Sequence, residues 1–158
     1  MGTICTCSEL VRIREDLRKT GQRVVLTNGC FDILHRGHIE YLREAKQLGD
    51  ILIVAVNSDD SVRRLKGALR PIIAEEDRTV VLAALEMVNY VIVFEEDTPI
   101  PLLRVLRPDV LVKGGDYHED EVVGAEVVRG YGGEVIIAHK TDGVSTSEII
   151  EQILQRFR

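Results

Sequence analysis

The sequence predicts an α/β protein, a Rossmann-like doubly wound sheet of five parallel strands. Three observations predict it. Five short apolar runs, at residues 23–27, 51–56, 90–94, 109–112 and 134–138, suit strands buried within a parallel sheet. Stretches with apolar residues at helical spacing alternate with those runs, an order that implies parallel pairing. Glycine turns follow the first and fourth runs, at Asn28-Gly29 and Gly114-Gly115, where doubly wound sheets hold their ligands.

Taken in order, residues 8–17 read as an amphipathic opening helix, capped by Ser8 and broken by Gly21. Asn28-Gly29 ends the first strand, and residues 37–45 carry apolar side chains at helical spacing up to a stop at Gly49-Asp50. The second strand, 51–56, is a continuous apolar run. Ser58 caps a short helix reaching Leu65, with Asp59 and Asp60 at its start. Those two acids could meet ribose hydroxyls or merely favour the helix dipole. Gly67 and Pro71 forbid regular helix in the loop 66–71, and residues 75–78 open a helix whose apolar face includes Val81, Leu82, Leu85 and Val88.

The third strand, 90–94, is followed by a solvated acidic run and by Thr98-Pro99, a good N-cap and first helical position. That helix ends before Pro108 and leads to strand four, 109–112. A helix around 122–131 stops at Gly132-Gly133, and strand five spans 134–138. A capping box from Ser145 to Glu148 starts the last helix, whose apolar face carries Ile149, Ile150, Ile153 and Leu154.

At 158 residues the chain is expected to form one domain, 1–158, with residues 1–7 loose, and to bury roughly 70% of its unfolded surface. Its composition, 45% hydrophobic and 29% charged, is that of an ordinary globular protein. No apolar run is long enough to span a bilayer and no secretory leader is present, so a cytoplasmic protein without membrane partners is expected. Three cysteines, Cys5, Cys7 and Cys30, cannot all pair and are read as reduced thiols. A net charge of −6 argues against nonspecific nucleic-acid binding. The bases nevertheless cluster, because His35, Arg36, His38, Lys66, Arg70, Arg78 and Lys113 lie at or just after predicted strand ends.

The most informative stretch is Asn28-Gly29-Cys30-Phe31-Asp32-Ile33-Leu34-His35-Arg36-Gly37-His38. It forms a turn from strand to helix and puts His35 and His38 three residues apart on the first helical turn, where both can face one anion. Free N–H groups at a helix start add partial positive charge, and Gly29 and Gly37 let backbone approach a phosphate. A solvated pair of capping histidines would look the same. A zinc pair completed by Cys30 would need further ligands, and no second Cys or His cluster stands at metal spacing.

Gly29-Cys30-Phe31-Asp32 followed by His35-Arg36-Gly37-His38 resembles the signature of the cytidylyltransferase-like nucleotidyltransferases, the HxGH type of this fold. With residues 112–117, Val-Lys-Gly-Gly-Asp-Tyr, the resemblance is nearest to the bacterial D-glycero-β-D-manno-heptose 1-phosphate adenylyltransferases and runs from about Leu10 to the C-terminus. It implies that His35, His38 and Lys66 are catalytic. It also implies that Asn28, Gly29, Cys30, Phe31, Asp32, Gly37, Arg78, Lys113, Gly115, Asp116, Ser145 and Thr146 bind the nucleotide. Mg²⁺ is expected on the triphosphate with no protein metal site, Asp32 touching it at most indirectly. The implied partners are ATP and a sugar 1-phosphate, with a homodimer as the family's assembly. No sugar kinase lies within these residues, so a separate heptose kinase is expected to supply the acceptor for lipopolysaccharide or another surface glycan.

The expected reaction is attack of a sugar 1-phosphate oxygen on the α-phosphorus of ATP, with no general base, since a phosphate monoester with a second pKa near 6 is largely ionised at neutral pH. One alternative is a cytidylyltransferase acting with CTP on glycerol 3-phosphate. Those enzymes carry Arg-Thr-Glu-Gly-Ile-Ser-Thr where this chain has Lys140-Thr141-Asp142-Gly143-Val144-Ser145-Thr146, and lysine does not reproduce a planar bidentate fork. An FMN adenylyltransferase would have only 4% aromatic residues and no Trp with which to stack a flavin. A non-catalytic nucleotide-binding regulator is the remaining alternative, and the intact histidine pair argues against it.

Overall fold

The computed structural model describes residues 1–115, 118–139 and 142–157, organised around a parallel sheet in the order β1-β4-β3-β2-β5-β6. The strands are β1 Thr3–Ile4, β2 Val24–Gly29, β3 Ile51–Asn57, β4 Tyr90–Phe94, β5 Val110–Gly114 and β6 Glu134–Ala138. The five anticipated strands are β2 to β6, so among the described residues the sheet has six strands rather than five. The addition comes from the segment expected to be loose. Gly2 donates to the Ala83 carbonyl at 2.7 Å, Thr3 to Asn89 at 2.9 Å and Cys5 to Val91 at 2.9 Å, which ties the N-terminus to the sheet edge and buries Cys5.

The helices are α1 Cys7–Lys19, α2 Arg36–Gln47, α3 Asp59–Lys66, α4 Glu75–Ala83, α5 Ile100–Leu106, α6 Ala125–Gly130 and α7 Thr146–Arg156. Strand side chains alternate between two cores, as a period of two demands. Val24 and Leu26 of β2 and Ile53 and Ala55 of β3 meet Leu10 of α1, Leu103 and Leu106 of α5 and Val128 of α6. Val25, Leu52, Val54 and Val56 point the other way, against Tyr41, Leu42 and Ala45 of α2 and Leu82 of α4. Each fully buried aliphatic side chain contributes about 1.5–3 kcal/mol, so both faces have reason to be covered.

Several boundaries differ from the sequence reading. Thr6, not Ser8, caps α1, because its hydroxyl accepts from the Glu9 N–H while Glu9 reaches back to the Thr6 N–H. The helix α4 ends at Ala83, so Leu85 and Val88 lie beyond it, and Val81 is 49% exposed although Val88 is buried. Pro99 is itself the N-cap of α5. The helix expected around 122–131 is a 3-10 turn, Glu119–Glu121, then the shorter α6. Gly124 separates them at φ 96°, where a Cβ would stand 2.4 Å from a Leu103 methyl. On α7 no residue is buried; Ile153 and Leu154 of its apolar face are about half exposed.

The chain runs from β2 outward through β3 to β4, then returns to place β5 on the other side of β2. Ligands bind where such a sheet changes direction, outside the carboxyl ends of the two diverging strands. Those ends are Asn28-Gly29 and Lys113-Gly114. At the opposite end Asp109 aligns the same two strands, accepting the Val24 N–H at 2.7 Å and pairing with buried Arg14 at 3.1 Å. Among the described residues no helix is long and apolar enough to cross a membrane.

Candidate active site

The histidines are placed by the turn between β2 and α2. Phe31 adopts φ 48° and is buried, turning the chain inward so that its ring centroid lies 5.4 Å from that of His38. Gly29 makes room, because a Cβ there would stand 3.1 Å from the Phe31 ring. His35 is the N-cap of α2 and His38 follows one turn on. Unlike α1, α3 and α7, this helix has neither a side-chain cap nor an acidic residue in its first turn. Its positive end is therefore uncompensated, as an anion site requires.

The rings of His35 and His38 stack with centroids 3.8 Å apart and planes 29° from parallel. Both Nδ1 atoms are buried without a hydrogen-bond partner among the described residues, an arrangement that costs stability and marks functional sites. Burial, reinforced by the charge of His35, pushes His38 down to about 4. Burial also lowers His35, against an opposing pull from Glu148. Within the protein alone both rings are therefore neutral at pH 7. A bound phosphate would supply the negative charge that raises them.

Two adjoining lobes open at the switch point. The smaller, of about 250 Å³, is lined by Asn28, Gly29, Cys30, Phe31, His35, Gly37, His38, Lys113 and Gly115, together with Tyr41, Gly114, His139 and Val144. The larger, of about 480 Å³, shares Asn28 to Phe31, His38 and Lys113 and adds Asp32, Lys66, Arg70, Ser145 and Thr146. The larger lobe alone falls in the range of about 300–1,000 Å³ usual for small-molecule sites. Lys113 donates to the Asn28 carbonyl at 3.0 Å, and burial pulls its ammonium below the usual value. Burial raises the Cys30 thiol despite Lys66, Arg78, Lys113 and Arg70 nearby.

Thirteen of the anticipated positions thus meet in one cleft, counting Asp32. Ser145 caps α7 by accepting from the Glu148 N–H at 3.1 Å, and the Thr146 hydroxyl donates to the Ile33 carbonyl at 3.3 Å. Arg78 lies elsewhere. Its side chain is fully buried, donating to the carbonyls of Ile73 at 2.9 Å, Cys30 at 2.5 Å and Asn57 at 3.0 Å and to Asp59 at 2.7 Å. A guanidinium with its donors committed in this way braces the carboxyl ends of β2 and β3 rather than facing the cleft. Asp59, read as a ribose or dipole residue, is its partner. Asp116 lies outside the described residues.

Some of the lining escaped sequence reasoning. Tyr41 sits mid-helix and reads as core. Its hydroxyl does pair with Thr27 and with the Val112 carbonyl, yet Tyr41 also lines the smaller lobe. His139, whose Nδ1 lies 3.0 Å from a Glu44 carboxylate oxygen, follows the last strand and precedes the stretch 140–146. Its position just past a strand end was the available signal. Asn57, Asp97 and Glu121 also line the larger lobe.

The model of the cytidylyltransferase-like family matches residues 26–152, from β2 into α7. The chain belongs to that family. As a cytidylyltransferase-like protein carrying the histidine pair in its cleft, it is a nucleotidyltransferase. Its relatives include three proteins named Bifunctional protein HldE. That of Syntrophotalea carbinolica is 53% identical over 93% of this chain and 31% of its own length. That of Geobacter sulfurreducens is 57% identical over 87% and 28%, and that of Alcanivorax borkumensis 54% identical over 98% and 32%. The chain thus spans about a third of the length of the curated relatives it matches. Among solved structures, the lipopolysaccharide core biosynthesis protein from Thermoplasma volcanium is 33% identical with a TM-score of 0.62, over 78% of this chain and all of that one. Pantoate-beta-alanine ligase from Francisella tularensis, with a TM-score of 0.67 over 98% of this chain and 78% of that one, is 16% identical and shares the fold.

Proposed function

We propose that this nucleotidyltransferase moves the adenylyl group of ATP to D-glycero-β-D-manno-heptose 1-phosphate, giving ADP-heptose and pyrophosphate. The observation that carries nucleotidyl transfer is the stacked His35–His38 pair at the uncapped end of α2, in a cleft that also receives Lys66 and Lys113. The choice of acceptor rests on the motifs at 28–35 and 112–117 and on the likeness to the HldE proteins and to a lipopolysaccharide core biosynthesis protein.

In this reading a sugar 1-phosphate oxygen forms a bond to the α-phosphorus while the bond from that phosphorus to the bridging oxygen breaks, and pyrophosphate leaves with the electron pair. The nucleophile is already ionised, so no side chain has to remove a proton. Catalysis is alignment and charge stabilisation. Neutral histidines serve as N–H donors to phosphate oxygens, and a bound triphosphate raises their pKa values toward a cationic pair. Lys66 and Lys113 neutralise further charge, and the N-termini of α2 and α7, with Ser145 and Thr146, cradle the phosphates.

ATP enters as its magnesium complex. Among the described residues no three His, Cys, Asp or Glu side chains form a metal cluster, and the Asp32 carboxylate is engaged by protein donors. The ion would be held mainly by the triphosphate oxygens and water. The wider proposal is a cytoplasmic enzyme, acting as a homodimer on heptose 1-phosphate supplied by a kinase activity.

The test follows phosphorus. With heptose 1-phosphate and ATP labelled at the α-phosphorus, label is expected in the sugar nucleotide; with γ-label, only in pyrophosphate. Transfer of γ-label to the sugar would instead reveal a kinase and overturn the proposal.

A further inference from the structure

We infer that Asp32 is a positioning residue, which fixes the loop that follows Lys66 against the turn carrying the histidine pair and contacts neither nucleotide nor metal. The inference rests on the nucleotidyl-transfer reading above. The Asp32 side chain is fully buried. It accepts from Arg70 Nε at 2.5 Å, from the Ile72 N–H at 2.8 Å and from the Ile73 N–H at 2.9 Å. Burial alone would raise this carboxyl, but the Ile73 and Ile72 N–H groups and Arg70 outweigh it and hold it below the usual range. Both carboxylate oxygens are engaged by protein donors, and the side chain exposes no surface to a ligand.

What it holds is otherwise poorly anchored. Between the end of α3 and the start of α4, Gly67, Ala68 and Leu69 are exposed, Leu69 at 89%. Lys66 is exposed too, and projects into the larger lobe from the last turn of α3. The far end of the loop is gripped twice. Asp32 takes the Ile73 N–H while Arg78 donates to the Ile73 carbonyl at 2.9 Å. Asp32 belongs to the same turn that delivers His35 and His38, and the next carbonyl, of Ile33, receives Thr146. One short segment therefore sets the distance between the lysine and the histidines.

Displacing a charge-bearing group by an ångström costs up to about 10²-fold in rate. Asp32→Asn keeps an acceptor for Ile72 and Ile73 but turns an amide toward Arg70. It is expected to lower kcat about tenfold or more, with the KM for ATP and the half-saturating Mg²⁺ concentration within about twofold. The same substitution in a Lys66→Ala background is expected to add little, because the residue it positions is gone. Independent, multiplicative losses in the two backgrounds, or a raised Mg²⁺ requirement, would overturn the inference. If Asp32→Asn fails to fold by circular dichroism, Arg70→Gln breaks the same tether from its less buried partner and is run through the same cycle. If the wild-type protein releases no pyrophosphate, the transfer reading fails on its own. ATP affinity by calorimetry is then the readout, expected within about twofold of the wild type for Asp32→Asn, and a larger loss would overturn the inference.

Discussion

His35 and His38 stack ring on ring at 3.8 Å with both Nδ1 atoms buried and unpartnered. A fold does not gain stability from such a pair. Its cost makes sense when a phosphate supplies the missing interactions. His35→Ala and His38→Ala are each expected to lower kcat about 10²-fold or more while changing ATP affinity far less, since the donors act as charge shifts in the transition state. Single-turnover rates set beside equilibrium ATP binding check this. Equal losses in both would make the histidines binding groups, as in a regulator.

The same burial makes a pH prediction. His38 is held at about 4 in the fold, below the value of about 6.5 it has in an unfolded chain. Its contribution to stability is therefore complete above pH 6.5 and is lost as pH falls toward 4, by about 3 kcal/mol at most. Urea unfolding between pH 7.5 and 4.5 should show a shallower decline for His38→Gln than for the wild type. Parallel declines would mean that the ring titrates normally.

Two cations expected at the phosphates occupy opposite environments, and their substitution separates them. Arg78→Met leaves three carbonyls and Asp59 without their donor and is expected to cost about 3 kcal/mol of stability. Lys66→Ala, at an exposed position, should change stability by less than about 0.5 kcal/mol while slowing turnover. Thermal melts and initial rates on both variants decide the assignment. A stable Arg78→Met enzyme with impaired ATP binding would return Arg78 to the cleft.

These contrasts show what the sequence carries. Buried parallel strands advertise themselves by composition, so β2 to β6 were legible, as were the glycine turns and the spacing of His35 to His38. The two-residue β1 has no pattern of its own; it exists because Gly2 can approach the Val88 carbonyl and Thr3 finds Asn89. The direction of a long side chain is equally hidden. Arg78, Lys66 and Arg70 all read as cations near a strand end, and only their tertiary acceptors distinguish a brace from a phosphate contact. Asp32 shows the same limit, since its neighbours Ile72 and Ile73 lie 40 residues or more along the chain.

The most direct measurement is pyrophosphate release with Mg²⁺, crossing ATP, CTP, GTP and UTP against heptose 1-phosphate, glycerol 3-phosphate and FMN. Release confined to ATP with heptose 1-phosphate is the predicted result. Release with CTP and glycerol 3-phosphate would contradict both the base and the acceptor assigned here.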